Sequence, residues 1–153
     1  MRTPRHQGGA VLVELALLLG PLLVLAFGIT EFGRAMYQYN AIAKAVRDSA
    51  RHLSQYAPGD LEKIQEARDL VYCGKIGCAS QQPLVPGLTP SHVRVFDRTS
   101  DIPNNPYNLQ STGRGTVNLV RVEVEGFEFK SIAPAFVPDI EFDPIHATMV
   151  QVL

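Results

Sequence analysis

The chain has 153 residues, room for one modest globular unit, and 14 Lys and Arg against 15 Asp and Glu leave a net charge of −1 at pH 7. Scattered basic residues at near-neutral balance give no sign of a nucleic-acid face. Cys73 and Cys78 are the two cysteines; they are too few for a structural zinc site, and no repeat or low-complexity tract indicates a solenoid or a linker.

The overall hydrophobic content of 46% hides a sharp asymmetry. From Ala10 to Ile29 the sequence reads AVLVELALLLGPLLVLAFGI. As a helix this run rises about 30 Å, the thickness of a bilayer's hydrocarbon core. Arg2 and Arg5 precede it in MRTPRHQGG, with no acid. The positive-inside rule therefore keeps the N-terminus in the cytoplasm and exports everything after Ile29. A removed signal peptide is the competing reading, with an apolar core near Leu15 to Leu25 and small residues at Ala26 and Gly28. Against it, the run is longer than such a core needs, and the helical pattern continues beyond it. Glu14 is out of place. A carboxylate costs roughly 2.5–3.5 kcal/mol near the centre of a span and less toward its end, so an ionisable group there points to function and needs a partner.

Spacing supplies one. Gly9 is followed by Ala10, and Glu14 stands fifth from Ala10 with apolar helix directly after it. A short basic segment, a glycine, a glutamate five residues on and a hydrophobic helix resemble a prepilin leader whose scissile bond is Gly9–Ala10. Leu15 and the LLLGPLL segment with Pro21 continue that similarity. Further along, Gly28-Ile29-Thr30-Glu31-Phe32-Gly33-Arg34 and Ala45-Val46-Arg47-Asp48-Ser49-Ala50-Arg51 resemble the TadE-like branch of the tight-adherence (Tad, or Flp) pilus system. The resemblance is specific over about the first 55 residues and general beyond. Glu14-Leu15 departs from the Glu-Tyr of major Flp pilins, which are also far shorter; both departures favour a minor pilin or pseudopilin. The resemblance implies cleavage by a prepilin peptidase and a new α-amino group on Ala10 to meet Glu14, in the same chain or a neighbour. It also implies other pilins or pseudopilins and an inner-membrane assembly platform as partners, with no cofactor.

Past Ile29 the pattern becomes amphipathic without a stop. Ile29, Phe32, Met36, Tyr39, Ala43, Val46, Ala50 and Leu53 alternate steps of three and four, an apolar seam of period near 3.5. Glu31, Arg34, Gln38, Lys44, Arg47, Asp48 and Arg51 fall largely on the other face. Packing of the exported half on its own domain accounts for most of the seam, leaving self-association to its first two or three turns, where Gly33 permits close approach. Pro58-Gly59 is expected to end the helix, and Pro21 to bend it.

Asp60 is an expected N-cap for a second helix, Leu61 to Tyr72, with Leu61, Ile64, Ala67 and Val71 on one face. On the exported side of a membrane Cys73 and Cys78 are expected as a disulfide, whose short loop contributes about 2 kcal/mol in the chain-entropy account. Gln81 to Pro90 reads as a proline-rich loop. Strands are expected at Ser91–Asp97, at Thr116–Glu125 with Val120, Val122 and Val124 alternating against Arg121, Glu123 and Glu125, and at Ile145–Val152. Phe127–Lys130 extends or turns the second strand, and Arg98 to Gly115 is a long polar connection. Three antiparallel strands on the exported half of a long helix make a type IV pilin-like α+β unit.

No hydrolase, metalloprotease or phosphate-loop motif is present, and His6, His52, His92 and His146 are isolated. Glu62, Glu66 and Asp69 sit at helical spacing with Lys63 and Arg68 and read as a solvated face. The chain therefore reads as a non-enzymatic protein with a basic leader (1–9), a transmembrane helix (10–29), an exported helical half (30–57) and an extracytoplasmic α/β region (58–153). Two functions fit. One is a minor pilin or pseudopilin of a Tad/Flp-type pilus at the bacterial inner membrane. The other is a single-pass anchored binding or scaffold module of a secretion apparatus that never polymerises.

Overall fold

The computed structural model describes residues 8–78, 82–134 and 136–152. Helix α1 runs from Gly8 to Leu53, about 70 Å at the standard rise. Leucine, valine and alanine fill its first half, and it continues through Pro21. It stops at Leu53, ahead of the expected Pro58-Gly59, and tightens into turns in which the amides of Gln55 and Tyr56 donate to His52 and Leu53 carbonyls. The cause is tertiary. The Val152 amide takes the Ser54 carbonyl at 3.1 Å, and Gln151 Nε2 reaches that of Leu53 at 3.4 Å. The last strand, rather than a proline, receives the helix's final carbonyls.

Helix α2, Leu61–Cys73, is capped as its sequence requires. The Asp60 carboxylate accepts from the amides of Glu62 and Lys63, and Gly74 ends the helix in the left-handed region at φ 78°, which glycine adopts without a Cβ clash. Ala67 and Val71 are buried and Ile64 packs against the core, but Leu61 is exposed: the first turn overhangs the domain. Cys73 and Cys78 form the expected disulfide just beyond this helix. Between α1 and α2, Ser49 Oγ donates to the Ala67 carbonyl at 2.8 Å. The Glu66 carboxylate meets His52 at 2.8 Å and Lys63 at 2.7 Å. The acids expected as a solvated face thus include one, Glu66, that ties the two helices together.

After a short 3-10 turn at Pro90–His92, strand β1 covers Val93–Phe96, β2 Gln110–Ser111, β3 Thr116–Val124, β4 Glu128–Phe129, β5 Ile140–Glu141 and β6 Ile145–Gln151. β3 is the centre of the sheet. β6 pairs antiparallel along one edge, from Asn118↔Gln151 to Val124↔Ile145; β1 and β2 share the other, at Val93↔Val124 and Gln110↔Val117. β4 and β5 form a separate hairpin, so Phe127–Lys130 turns out of the main sheet instead of extending it. Gly126 makes that exit at φ 70°.

The alternation in β3 sorts as expected, with Val120, Val122 and Val124 buried in one cluster with Ile42, Val46, Ala50 and Leu53 of α1. On the other face Glu123 is also nearly buried, and Arg121 bonds it at 2.6 Å. Asp97, at the end of β1, is buried and accepts from the amides of Gly59 and Thr99 and the Thr99 hydroxyl, fastening the α1–α2 connection to the sheet. The result is an α+β unit in which half of α1 is core and the other half projects.

The disulfide closes a short loop with few apolar contacts. Replacing Cys73 and Cys78 together by Ser is expected to cost about 2 kcal/mol in denaturant unfolding, with the midpoint lowered and the slope retained. The native chain should show no alkylatable thiol without reductant.

Candidate membrane and assembly site

The projecting half of α1 is bare of its own chain except near its end, where Phe136 stacks on Phe27. Val11, Leu17, Leu18, Leu22 and Leu25 are all exposed, and none of the most apolar stretch of α1 is buried in the domain. A core helix is excluded by that exposure, since a core helix is wrapped by its own protein. A helix satisfies its backbone polar groups internally, so this segment is suited to lipid. Glu14 lies on it, exposed, and among the described residues no hydrogen bond or ion pair reaches its carboxylate. Arg2, Arg5 and His6 of the expected leader lie outside the described residues; Gly9 and Ala10 stand exposed at the start of α1. A methyl group on Gly9, Gly20, Gly28 or Gly33 would meet nothing within 4 Å. Packing within this chain therefore does not require glycine at any of the four.

The expected seam is met by the domain at one end only. Val46, Ala50 and Leu53 are buried and Ala43 is half-buried. Ile29, Phe32, Met36 and Tyr39 are exposed, Ile29 at 73%, although Tyr39 makes an edge contact with Phe142 at 5.5 Å. The face that packs begins one residue earlier, at Glu31, Ala35, Gln38 and Ile42, with the same steps of four and three. Glu31 and Gln38, expected on the polar side, are thus turned into the protein. Between Ile29 and Tyr39 the apolar stripe and the packed stripe are different faces of one helix.

What turns Glu31 inward is a set of donors. Its carboxylate accepts from Arg34 Nη1 at 2.7 Å and from the Ile132 amide at 3.2 Å. Arg34 also donates to the Lys130 carbonyl at 3.0 Å and lies over the Phe129 ring, 4.8 Å from its centroid. Nη1 is shared between both Glu31 oxygens, at 2.7 and 2.9 Å; such a charge-assisted bond is strong for a buried carboxylate, and the ring shields it. Burial raises the Glu31 pKa, but the Ile132 amide, Arg34 and Ser131 outweigh it and hold the carboxyl below its ordinary value of 4.5. The Gly28–Arg34 stretch singled out by sequence thus clamps the β4–β5 loop to α1. Its partners lie about a hundred residues away, where nothing local marks them.

The remaining histidines are in structural places. His92 Nδ1 bonds the Thr89 amide and hydroxyl, and His146 faces the Pro144 carbonyl. Among the described residues, no group of three or more His, Cys, Asp or Glu side chains is placed to hold a metal ion. A cleft of about 240 Å³ between α1 and α2, lined by Lys44, Asp48 and Leu84, gathers no catalytic set.

The fold and the uncovered helix fit a single-span membrane protein whose anchor is continuous with the core of a small α+β domain. Residues 9–51 match the family model described as TadE-like protein, so the chain is similar to that family over α1. The match covers nearly all of α1 and none of the sheet. No curated protein and no solved structure matches the chain.

Acid should loosen the contacts of Glu31, Glu66 and Asp139. Glu66 is held below 4.5 by its bonds to Lys63 and His52, and Asp139 below 3.8 by the Ser131 amide and Lys130. A carboxyl with a lowered folded pKa stabilises fully above its unfolded value, and that contribution is lost as pH falls through the folded one. The melting temperature in detergent should be level above about pH 5 and decline below 4.5. Glu31→Gln should remove part of that decline and speed hydrogen exchange at the Ile132 amide.

Proposed function

We propose that this chain is a minor pilin or pseudopilin of a Tad-type pilus, anchored by residues 10–29 with its N-terminus in the cytoplasm and its domain exported. The observation that carries the reading is α1 itself. Its lipid-suited half runs without a linker into the domain's core, so docking of the helix positions the domain rigidly. The TadE-like match over this segment supports a place in the pilus system. The exposed stripe of Ile29, Phe32 and Met36, beside a Gly33 with open space around it, supports a face left for another helix. A glycine on such a face lets a second helix approach closely.

In this reading a prepilin peptidase cleaves Gly9–Ala10, and the new α-amino group meets Glu14 about one turn away or on a neighbouring subunit. Desolvation consumes much of such a pair's Coulombic gain, so its value is register more than stability. The alternative, an anchored scaffold that never polymerises, leaves Glu14 as a carboxylate that snorkels to the interface. Neither reading needs a cofactor or a catalytic group.

Protein from its native host should have the intact mass of a chain starting at Ala10. Gly9→Val should retain the leader, because a branched side chain obstructs approach to the scissile backbone. A mature chain still carrying Met1, or starting near Ile29, would remove the pilin reading.

Glu14→Leu separates the two functions. Membrane insertion should be equal or better, because a costly charge is gone, while co-purification with the pilus machinery should drop about tenfold at matched membrane levels. Equal recovery with undiminished piliation would favour the scaffold.

A further inference from the structure

We propose that the loop between β4 and β5 is a second membrane contact, a foot that enters the bilayer interface on the domain's side through Ile132 and Phe136. Its target is the boundary between lipid headgroups and acyl chains. This rests on the reading of residues 10–29 as a span.

The loop is built with a polar base and an apolar tip. At the base, Asp139 accepts from the Ser131 amide at 2.8 Å and from Lys130 Nζ at 3.0 Å. From Ile132 to Pro138 the sequence has no charged side chain. Ile132 and Phe136 are 75% and 55% exposed, a large apolar surface for a loop tip in water.

Position along α1 decides what covers that surface. The Ile132 amide is bonded to Glu31, so the loop begins at the level of that residue. The Phe136 ring then lies parallel to Phe27, with centroids 6.1 Å apart and planes within 4°. Phe27 is four residues before Glu31, about 6 Å further toward the span's centre. It belongs to the apolar run and lies about 3 Å inside Ile29. If Phe27 is in the membrane, the ring stacked on it is there too. Interfacial segments bury their apolar face at about this shallow depth. The clamp of Glu31 and Arg34 then has a purpose beyond stability: it holds the foot at a set depth and so limits how the domain tilts on its anchor.

The chain contains no tryptophan, so Phe136→Trp and Ile132→Trp each give a sole reporter. The full chain is reconstituted in phosphatidylethanolamine–phosphatidylglycerol vesicles, with or without bromine on the acyl chains. Leu18→Trp, mid-span, calibrates quenching, and Leu109→Trp, beside β2 at the far end of the domain, reports water. Phe136→Trp and Ile132→Trp should lose about half their emission in brominated vesicles, as Leu18→Trp does, while Leu109→Trp is unchanged. Unquenched loop reporters beside a quenched Leu18→Trp overturn the foot and leave the span intact. An unquenched Leu18→Trp overturns the span, and the foot with it. Loop emission that is shielded from water, insensitive to bromine and restored to aqueous behaviour on dilution in lipid assigns the tip to a second copy of the chain and equally overturns the proposal.

Discussion

Helix α1 meets two surroundings without a break, and everything else in the structure is arranged around that. Over its first half the side chains are mostly leucine, valine and alanine, and the domain touches them only where Phe136 stacks on Phe27. In lipid such a segment is stable because its N–H and C=O groups bond each other. Over its second half Ile42, Val46, Ala50 and Leu53 are the floor on which β3 and β6 lie. An anchor that is also core cannot swivel at a linker. A force or a docking event applied to one half is delivered to the other.

The boundary between the two surroundings falls near Glu31. A carboxylate there is costly in lipid and unremarkable in water, yet it is buried in neither. It is held within the protein by Arg34 and by a backbone amide from the loop after β4. Arg34 reaches the same loop through the Lys130 carbonyl and the Phe129 ring. The pair thereby joins α1 to the loop after β4 at the level where the chain leaves the apolar run. Removing either member leaves an uncompensated charge against apolar surface, which is why such pairs matter more when broken than when formed.

Much of this was legible from the residues, and what was not has a physical reason. The apolar run, the Asp60 cap, the alternating valines of β3 and the disulfide depend on local chemistry, and each emerged where expected. Helical period was legible too, but its phase was not. Apolar residues at Ile29, Phe32 and Met36 mark a face that avoids water. They do not say whether the chain's own domain or something else covers it. The packed face was chosen instead by hydrogen bonding at Glu31, whose partners are remote in sequence. The same remoteness hid the β4–β5 hairpin and the early end of α1, which depends on Val152 and Gln151 arriving from the far end of the chain.

The central claim is that one helix passes from lipid into its own protein core within a few residues of Ile29. Spin-label accessibility along α1 tests it most directly. The native cysteines are joined to each other and leave an introduced thiol as the single labelling site. With labels placed singly from position 11 to 42 in reconstituted vesicles, collisions with oxygen should dominate as far as Ile29. Beyond it, aqueous nickel should dominate at exposed positions such as Tyr37, with both low at Ala35 and Ile42. Nickel accessibility running evenly through residues 11 to 29 in membrane-bound protein would contradict the account.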